Sequence, residues 1–329
     1  MRKIGKIPAW LGVILGFGLA ASSFGQVIPQ RVAPGAIGQL PFSATGLIET
    51  KVGNSFYQGS GAIARDSRLV FTCAHVAFDR GIWASSIGIA PGWSSRSDAS
   101  TYIPLRGWRY FSGYASAALT DDSSAETFNL DFLVGYRNES IGSVVEARER
   151  GADYLTNGNV QKMIVGYPSS RDFDGVSGFF FMHQTGPFAG GFSQERDAYH
   201  GFFGASTGNG NSGGPVFENS AGRWILAGIL VSGTRNSIGV YAIDAGAWQL
   251  STNALESLGA NPAGTPDSAA SGDWTNPSYG IYQLLEQRSS LLAQFTQARR
   301  IKNPAARQIQ LRRLRTMLLQ VNAQIAALS

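Results

Sequence analysis

The chain has 329 residues, of which 43% are hydrophobic and 15% are charged. This composition excludes a disordered or fibrous protein and allows one large globular domain or two ordinary ones. The formal net charge of +5 suggests nucleic-acid binding, but residues 26–278 hold 21 acidic and 16 basic side chains, so the positive charge belongs to the two ends. A nucleic-acid partner for the globular part is therefore excluded, because such binding needs a basic surface.

The first 25 residues are typical of an export signal. Three basic residues precede an apolar stretch from Ile7 to Ala21, and small residues follow it. A transmembrane anchor is the alternative, but the stretch is shorter than the ~20 residues that a helical span needs. We therefore expect a signal peptide at 1–25, cleavage before Gln26 and export to the periplasm or out of the cell.

From Thr45 to Ala242 the chain is a series of short apolar or alternating runs separated by turn-forming residues. Such runs predict an antiparallel all-β fold, and no long helical periodicity interrupts them. A closing helix is predicted over 245–258, with Asn253 and Glu256 at the spacing of a capping box. The clearest strand candidates are Ser60–Ile63, Leu69–Thr72, Phe132–Tyr136, Met163–Gly166, Gly178–Met182, Trp224–Val231 and Gly239–Ile243.

The C-terminal part has a different character. Residues 259–278 are rich in Pro, Gly and Ser and predict a linker. Residues 279–329 carry eight basic side chains and one acidic side chain, and Asn303-Pro304 divides them into two helical stretches. Their heptad seam predicts a helical hairpin or coiled coil, for self-association or for docking on an acidic surface. The seam positions are Ile281, Leu285, Arg288, Leu292 and Phe295, then Leu311, Leu314, Leu318, Val321, Ile325 and Leu328.

Residues 208–215 read GNGNSGGP and place Ser212 among glycines. A serine hydroxyl is a weak nucleophile at neutral pH and needs a nearby base. Gly210 and Gly213 allow a tight turn, in which the amides of Gly210 and Ser212 can point to one spot and stabilise an oxyanion. The motif therefore predicts a nucleophile with its oxyanion hole. The alternative is a surface loop with an inactive serine, which suits a bare Ser-Gly-Gly better than this longer motif.

The candidate base is His75, in the segment TCAH, because its small neighbours leave room for a serine and a carboxylate beside the ring. The candidate carboxylate is Asp131, at the start of an apolar run, where it would orient the imidazole. Asp121 and Asp122 are the alternatives. They lie in a polar loop, and we expect water to solvate them.

We interpret the two other histidines and the single cysteine as residues without a catalytic role. His183 lies in an aromatic run and His200 in a loop-like segment, and neither has the surroundings of a catalytic base. Cys73 can form no internal disulfide and is interpreted as a small buried side chain, with a redox role as the alternative. No histidine pair or cysteine pair stands at ligand spacing, so neither a metal nor a cofactor is expected.

The segments TCAH, DFLV and GNSGGP resemble the three motifs of the chymotrypsin-like (trypsin-like, S1) serine peptidases. Residues 239–242 are similar to the strand behind the specificity pocket of that family. The resemblance covers roughly residues 45–258. It implies two six-stranded antiparallel Greek-key β-barrels with the site between them, and a triad of His75, Asp131 and Ser212.

Asn211 departs from the animal enzymes, which carry an aspartate there that pairs with a new N-terminus. The resemblance therefore points to the bacterial members, without charge-pair activation. By position, it implies a pocket floor at Ser206, with Thr207 beside it and Gly233 and Gly239 as walls. An uncharged, glycine-walled pocket favours a large apolar P1 side chain.

These observations predict an exported serine endopeptidase whose catalytic domain spans 26–258. It would cleave polypeptide substrates through an acyl-enzyme intermediate, without a cofactor. The alternative is a catalytically silent fold of the same kind, because function resides in the site and not in the fold. Such a protein would be a binding or scaffold module, with the helical tail at 279–329 for oligomerisation.

Overall fold

The computed structural model describes residues 27–94, 102–168, 181–258, 291–292, 294–301 and 304–328. The predicted signal peptide, the predicted linker and the first three seam positions lie outside these ranges. The strands are β1 Gln30–Arg31, β2 Thr45–Val52, β3 Ser55–Ile63, β4 Leu69–Thr72, β5 Phe78–Asp79, β6 Ile82–Trp83, β7 Ser86–Pro91, β8 Ile103–Pro104, β9 Gly107–Tyr110, β10 Leu133–Tyr136, β11 Lys162–Gly166, β12 His183–Gln184, β13 Ser193–Arg196, β14 Tyr199–Phe203, β15 Pro215–Ser220, β16 Arg223–Gly233 and β17 Ser237–Ala242. The helices are α1 Tyr114–Thr120, α2 Ala125–Phe128, α3 Gly151–Leu155, α4 Ala245–Glu256 and α5 Pro304–Leu328, with 3-10 turns at Pro34–Ala36, Phe42–Ala44 and Ala74–Val76.

The strands form two large sheets and one hairpin. The first sheet has the order β8-β7-β2-β3-β4-β10-β9, the second has the order β1-β12-β11-β15-β16-β17-β14-β13, and β5 pairs with β6. Every pairing between these described strands is antiparallel. The predicted all-β antiparallel class is confirmed.

The two sheets repeat one topology. Without the accessory strands β1, β8 and β13, each sheet keeps six strands. If the six strands of each sheet are numbered from 1 to 6 along the chain, neighbouring strands follow the same circular order, 1-2-3-6-5-4, in both sheets. The circle is open between strands 4 and 5 in the first sheet and between strands 2 and 3 in the second. This order contains the Greek-key arrangement 4-1-2-3. The sheets hold seven and eight strands, and not six each, because β8 extends one edge of the first sheet and β1 and β13 extend the two edges of the second.

Six of the seven runs predicted as strands overlap an observed strand, and three of them lie inside strands with wider bounds. The run Ser60–Ile63 is the end of β3, and Trp224–Val231 is the centre of β16. The run predicted at 178–182 is wrong at its described end, because pairing begins only at His183. Residues 178–180 lie outside the described part of the chain.

An aromatic cluster joins the two sheets beside the candidate triad. Phe132, one residue before β10, stacks on Tyr241 of β17 with ring centroids 4.9 Å apart, and it meets Phe71 of β4 edge-on at 5.5 Å. All three rings are buried. Aromatic pairs contribute about 0.5–1.5 kcal/mol beyond their buried area. The cluster therefore fixes the two sheets relative to each other directly next to Asp131.

Helix α4 follows the second sheet in sequence but packs on the first, against β9 and β10. The guanidinium of Arg65, just before β4, donates to the backbone carbonyl of Trp248 at 2.8 Å. The helix begins after Asp244, whose carboxylate accepts the amide three residues on at 2.8 Å. The capping box predicted at Asn253 and Glu256 is wrong, because both residues lie inside the helix.

The described part of the tail is helical. Helix α5 and the helical residues 291–292 and 294–298 pack on each other, which agrees with the predicted hairpin; a coiled coil with a partner stays a prediction. Leu291 is 2% exposed and Leu292 is 46% exposed, so the predicted seam is displaced by one residue there. No helix in the described part of the chain is long and apolar enough to cross a membrane. The shared cluster is Leu291, Ala298, Leu314 and Val321, with Phe295, Ile301, Leu311, Met317 and Leu318 at its edge.

Lys162 is a buried cation at the start of β11. Its ammonium group donates to the carbonyls of Asn157, Val160 and Gly190 at 2.6, 2.9 and 2.8 Å. Burial lowers the pKa of Lys162 to about 8, and the charge of Glu218, which faces it on β15, opposes this shift. Three loop carbonyls therefore converge on one side chain, and that of Asn157 also accepts the amide of Val160 at 3.2 Å.

Lys162→Met keeps the length of the side chain but removes its donors. A carbonyl that loses its partner inside the protein costs about 1–3 kcal/mol. Glu218 also loses a nearby positive charge and keeps Arg148, whose Nε lies 3.3 Å from its carboxylate. We expect the free energy of unfolding, measured by urea denaturation, to fall by about 3 kcal/mol or more. Lys51→Met, at an exposed position of β2, is the matched control and should change it by less than about 0.5 kcal/mol. Equal effects would contradict a structural role for the buried ammonium group.

Candidate active site

His75 and Asp131 meet at the end of the first sheet. His75 lies in the 3-10 turn Ala74–Val76 that follows β4, and Asp131 lies in the loop between α2 and β10. Because β4 pairs with β10, these two strand ends are neighbours. Asp131 Oδ2 lies 2.5 Å from His75 Nδ1, and Asp131 Oδ1 accepts the backbone N–H of His75 at 2.8 Å. Both carboxylate oxygens therefore hold the histidine, and its Nε2 is left for another partner.

The structure distinguishes Asp131 from the two alternative carboxylates. Asp131 is 1% exposed, whereas Asp121 and Asp122 lie on the surface. Asp121 accepts the amide and the hydroxyl of Ser123 at 3.0 and 2.7 Å. The partner of His75 is thus the buried carboxylate, whose charge acts strongly because little water screens it.

The surroundings of His75 raise its pKa well above the usual value. Burial is the largest single influence and lowers this pKa, because it disfavours the charged imidazolium. The negative charge of Asp131, the neighbouring Cys73 sulfur and the hydrogen bonds to both together outweigh the effect of burial. The side chain of His75 is still 34% exposed, so a ligand can reach it. In its neutral form His75 is therefore a stronger base than a free imidazole.

Ser212 lies half-buried in a tight turn between β14 and β15. Gly210 and Gly213 have φ angles of +91° and +80°, in the left-handed region that favours glycine. The amide of Gly214 donates to the carbonyl of Asn211 at 2.8 Å and closes the turn. Among the described residues, no acceptor pairs with the amide N–H of Gly210 or of Ser212. These two donors, which the sequence motif assigns to an oxyanion hole, remain available to a ligand oxygen.

Ser60 of β3 fastens this turn to the first sheet. Its amide donates to the carbonyl of Ser212 at 2.7 Å, and its hydroxyl donates to the carbonyl of Gly210 at 2.7 Å. The same hydroxyl accepts the amide of Tyr167 at 2.9 Å. Ser60 was not predicted from the sequence, because its role depends on a contact 150 residues away. The only local signal is that glycines flank it on both sides.

A close approach at Gly213 brings the turn against the end of β4. A Cβ atom at this position would collide with Thr72 Oγ1 and with the carbonyl oxygen of Ser60. Only glycine therefore fits here. The preceding residue, Ser212, lies next to the chain segment that leads from Thr72 to His75.

In this conformation the neighbour of His75 Nε2 is Cys73, whose Sγ lies 3.6 Å away. The Ser212 hydroxyl forms no hydrogen bond with any described residue. Serine–histidine hydrogen bonds are often long in structures without substrate and shorten in the reacting complex. Burial raises the pKa of the Cys73 thiol. Cys73 is buried, as expected, but it also contacts the candidate base.

The predicted pocket residues Ser206 and Thr207 lie beside the Ser212 turn. The side-chain amide of Asn211 donates to the Thr207 hydroxyl at 3.0 Å. A Cβ atom on Gly233, at the end of β16, would collide with the Thr207 methyl group. The amide of Ser206 donates to the carbonyl of Val27 at 3.0 Å. Three of the four predicted pocket residues are thus neighbours.

The fourth predicted pocket residue, Gly239, lies opposite Ser232 on the paired strands β16 and β17. A Cβ atom at Gly239 would collide with Ser232 Oγ and would lie 2.5 Å from the Tyr199 hydroxyl. These two hydroxyl groups are 3.1 Å apart. Tyr199 and Ser232 therefore occupy the space that glycine leaves at this wall, and neither was predicted from the sequence.

His183 and His200 lie outside this group of residues. Both are buried in the second sheet. Each ring Nδ1 pairs with a backbone carbonyl two residues earlier, that of Phe181 at 2.9 Å and that of Ala198 at 3.0 Å. Burial lowers the pKa of His200. Both histidines have the surroundings of packed side chains.

Solved structures of proteases resemble this chain. The protease Anisep from Arthrobacter nicotinovorans has a TM-score of 0.50 and 14% identity, with 70% of this chain and 100% of that protein covered. The thermostable serine protease AL20 from an extremophilic microorganism has a TM-score of 0.48 and 16% identity, with 64% and 96% covered. Neither protein-family models nor curated protein sequences gave a match. The likeness to Anisep shows the fold, and the chymotrypsin-like architecture that the motifs implied is confirmed.

Gly213→Ala and Gly222→Ala are a matched pair that tests the turn. Both glycines have similar φ angles, +80° and +82°, but a Cβ atom at Gly222 meets nothing within 4 Å. We expect Gly213→Ala to displace Ser212 and to lower its labelling rate by a fluorophosphonate at least about 100-fold. Gly222→Ala should cost about 1–3 kcal/mol of stability and leave labelling unchanged. Equal labelling rates would show that the contact at Gly213 does not position Ser212.

Proposed function

We propose that the protein is an exported serine endopeptidase that uses Ser212, His75 and Asp131. One observation carries the proposal: both oxygens of a buried carboxylate hold His75, beside a glycine turn that presents Ser212 and two unpaired amides. The fold, which Anisep shares, agrees with this proposal.

In the first half of the reaction, Ser212 Oγ attacks the carbonyl carbon of the scissile bond while His75 Nε2 takes its proton. Asp131 keeps the proton on Nδ1 and balances the charge of the imidazolium. The amides of Gly210 and Ser212 donate to the oxyanion, and the loss of one such donor typically costs about 2.7–4 kcal/mol of barrier. His75 then gives its proton to the leaving amine, and an acyl group remains on Ser212.

In the second half, water attacks the acyl carbon, His75 takes a proton from the water, and Ser212 leaves with that proton. Both halves need Ser212 Oγ within about 2.6–3.2 Å of His75 Nε2. Cys73 Sγ is the atom beside Nε2 in the present conformation. Substrate binding therefore has to draw the Ser212 hydroxyl into hydrogen-bonding distance of the imidazole.

The proposed P1 preference is a large apolar side chain. None of Ser206, Thr207, Gly233 and Gly239 carries a charge that could pair with a charged substrate side chain. The two glycines carry no side chains, but the Thr207 methyl group at Gly233 and the Ser232 and Tyr199 hydroxyl groups at Gly239 occupy the space beside them and limit the depth of the proposed pocket. Export is proposed from the basic and apolar pattern of residues 1–25.

The test of the proposed function is covalent labelling of the purified chain by a fluorophosphonate, followed by peptide hydrolysis assays. We expect the native protein to be labelled, and Ser212→Ala to lose both labelling and hydrolysis, because the proposed reaction needs the Ser212 hydroxyl as nucleophile. Ser86→Ala, at an exposed position of β7, is the control and should retain both. Peptides that differ only in Phe, Glu or Arg at P1 should be cleaved fastest with Phe.

Absence of labelling in the native protein would overturn the peptidase proposal and favour the binding module. Labelling that persists in Ser212→Ala would assign the nucleophile to another residue. Preferred cleavage after Glu or Arg would leave the peptidase proposal intact and contradict the proposed pocket.

The raised pKa of His75 predicts the pH dependence of kcat/KM. His75 must be neutral to take the Ser212 proton, so the rate should rise with pH, with a midpoint above the usual histidine value of about 6.5. In Asp131→Asn the main group that raises the pKa is lost, so the midpoint should move down and the rate should fall. A flat profile between about pH 5 and pH 9 would contradict the role of His75.

A further inference from the structure

We propose that Cys73 and His75 form a binding site for Zn²⁺ or a similar soft divalent ion, which reversibly inhibits the enzyme. The inhibition rests on the proposed function, whereas the binding of the ion does not. Metal binding is not a step of the proposed peptide hydrolysis, although both use His75. It uses the sulfur atom of Cys73, which contacts the candidate base.

The geometry of the donor atoms fits a tetrahedral ion. The donor atoms of Cys73, His75 and Asp131 all lie within 4.8 Å of one another. Cys73 Sγ and His75 Nε2 are 3.6 Å apart. With Zn–S near 2.3 Å and Zn–N near 2.0–2.1 Å, an ion bound to both atoms would have an S–Zn–N angle of about 110°. The two atoms therefore already have the separation that tetrahedral zinc requires.

Asp131 completes the arrangement as a positioning residue and not as a ligand. Its carboxylate accepts the Nδ1–H of His75, so the lone pair of the ring lies on Nε2, toward Cys73. Histidines that bind zinc almost always donate their other ring N–H to a carboxylate or carbonyl, which fixes the ring and makes it a better ligand. The hydrogen bond between Asp131 and His75 would therefore orient the imidazole both as a catalytic base and as a metal ligand.

Access and ligand type decide which ions fit. Cys73 is fully buried, but the side chain of His75 is 34% exposed, so an ion would enter from the side of the imidazole. Water would take the remaining coordination positions, as in open zinc sites. Thiolate and imidazole ligands favour Zn²⁺ over Mg²⁺ and Ca²⁺, which prefer oxygen ligands. This mixed pair escaped the sequence-based expectation, which considered only histidine pairs and cysteine pairs.

Binding would proceed by exchange of ligands. The Cys73 thiol loses its proton to solvent, Zn–S and Zn–N bonds form, and the hydrated ion releases all of its waters except the two that complete the tetrahedron. No oxidant or reductant is involved. The Nε2 lone pair, which otherwise takes the proton of Ser212, is then occupied. Peptide hydrolysis stops until a chelator removes the ion.

The test uses Co²⁺ as a spectroscopic substitute for Zn²⁺, with Ser212→Ala so that the readout is independent of activity. We expect one Co²⁺ per chain, a thiolate-to-cobalt charge-transfer band in the near ultraviolet, and loss of the band when Zn²⁺ is added. Ser212→Ala combined with Cys73→Ser, a substitution of similar size, should show no band. Because the chain has one cysteine, a band can come from Cys73 alone. Absence of the band from the cysteine-containing protein would overturn the site.

X-ray absorption at the zinc edge of the native protein keeps the test independent of any variant's folding. One sulfur near 2.3 Å, with nitrogen or oxygen ligands, is expected; zinc without sulfur would overturn the site. In activity assays, Cys73→Ser should need at least about 10-fold more Zn²⁺ for half inhibition, relative to its own metal-free rate. If Co²⁺ binds as described but the native chain neither labels nor hydrolyses peptides, the metal site stands and the proposed function falls.

Discussion

The contact between the Ser212 turn and the end of β4 is the constraint on which the site depends. The serine belongs to the second sheet and the histidine to the first, so they can act together only where these segments touch. Ser60 supplies two hydrogen bonds across this contact, and Gly213 lacks the methyl group that would block it. The repeated strand order of the two sheets matters because it brings these two loops to the same place.

The hold of Asp131 on His75 has two consequences for chemistry. It raises the pKa of the imidazole, and it directs the free lone pair away from the carboxylate. In the proposed reaction this lone pair accepts the proton of the Ser212 hydroxyl, and in the proposed metal site it binds a soft ion together with a thiol. Cys73 supplies that thiol. With a side chain that lacks sulfur at position 73, His75 could still accept a proton, but no thiol would share a metal ion with it.

The sequence predicts the role of a residue when its neighbours along the chain define its chemistry. It does not predict the role of a residue that acts through contacts distant in sequence. Glycines around Ser212 and small residues before His75 are local signals, and the short alternating runs similarly predict the strands. Ser60 acts on partners 150 residues away, and no local pattern reveals that. The cap of α4 was predicted at Asn253 from its spacing to Glu256. The residue that caps the helix is Asp244, because its carboxylate accepts the amide of Ala247. The accessory strands β1 and β8 escaped prediction because two residues carry no periodicity.

Helix α4 has a consequence for the order in which the protein can be completed. The face of β9 and β10 that it covers belongs to the first sheet, yet the helix is made after both sheets. The hydrogen bond of Arg65 needs the carbonyl of Trp248, which lies 183 residues further along the chain. Such distant pairings form late, because the long intervening loop must be closed first. During synthesis from the N-terminus, the face of the first sheet that α4 covers can therefore be buried only after residues 245–256 have been made, beyond the last strand of the second sheet.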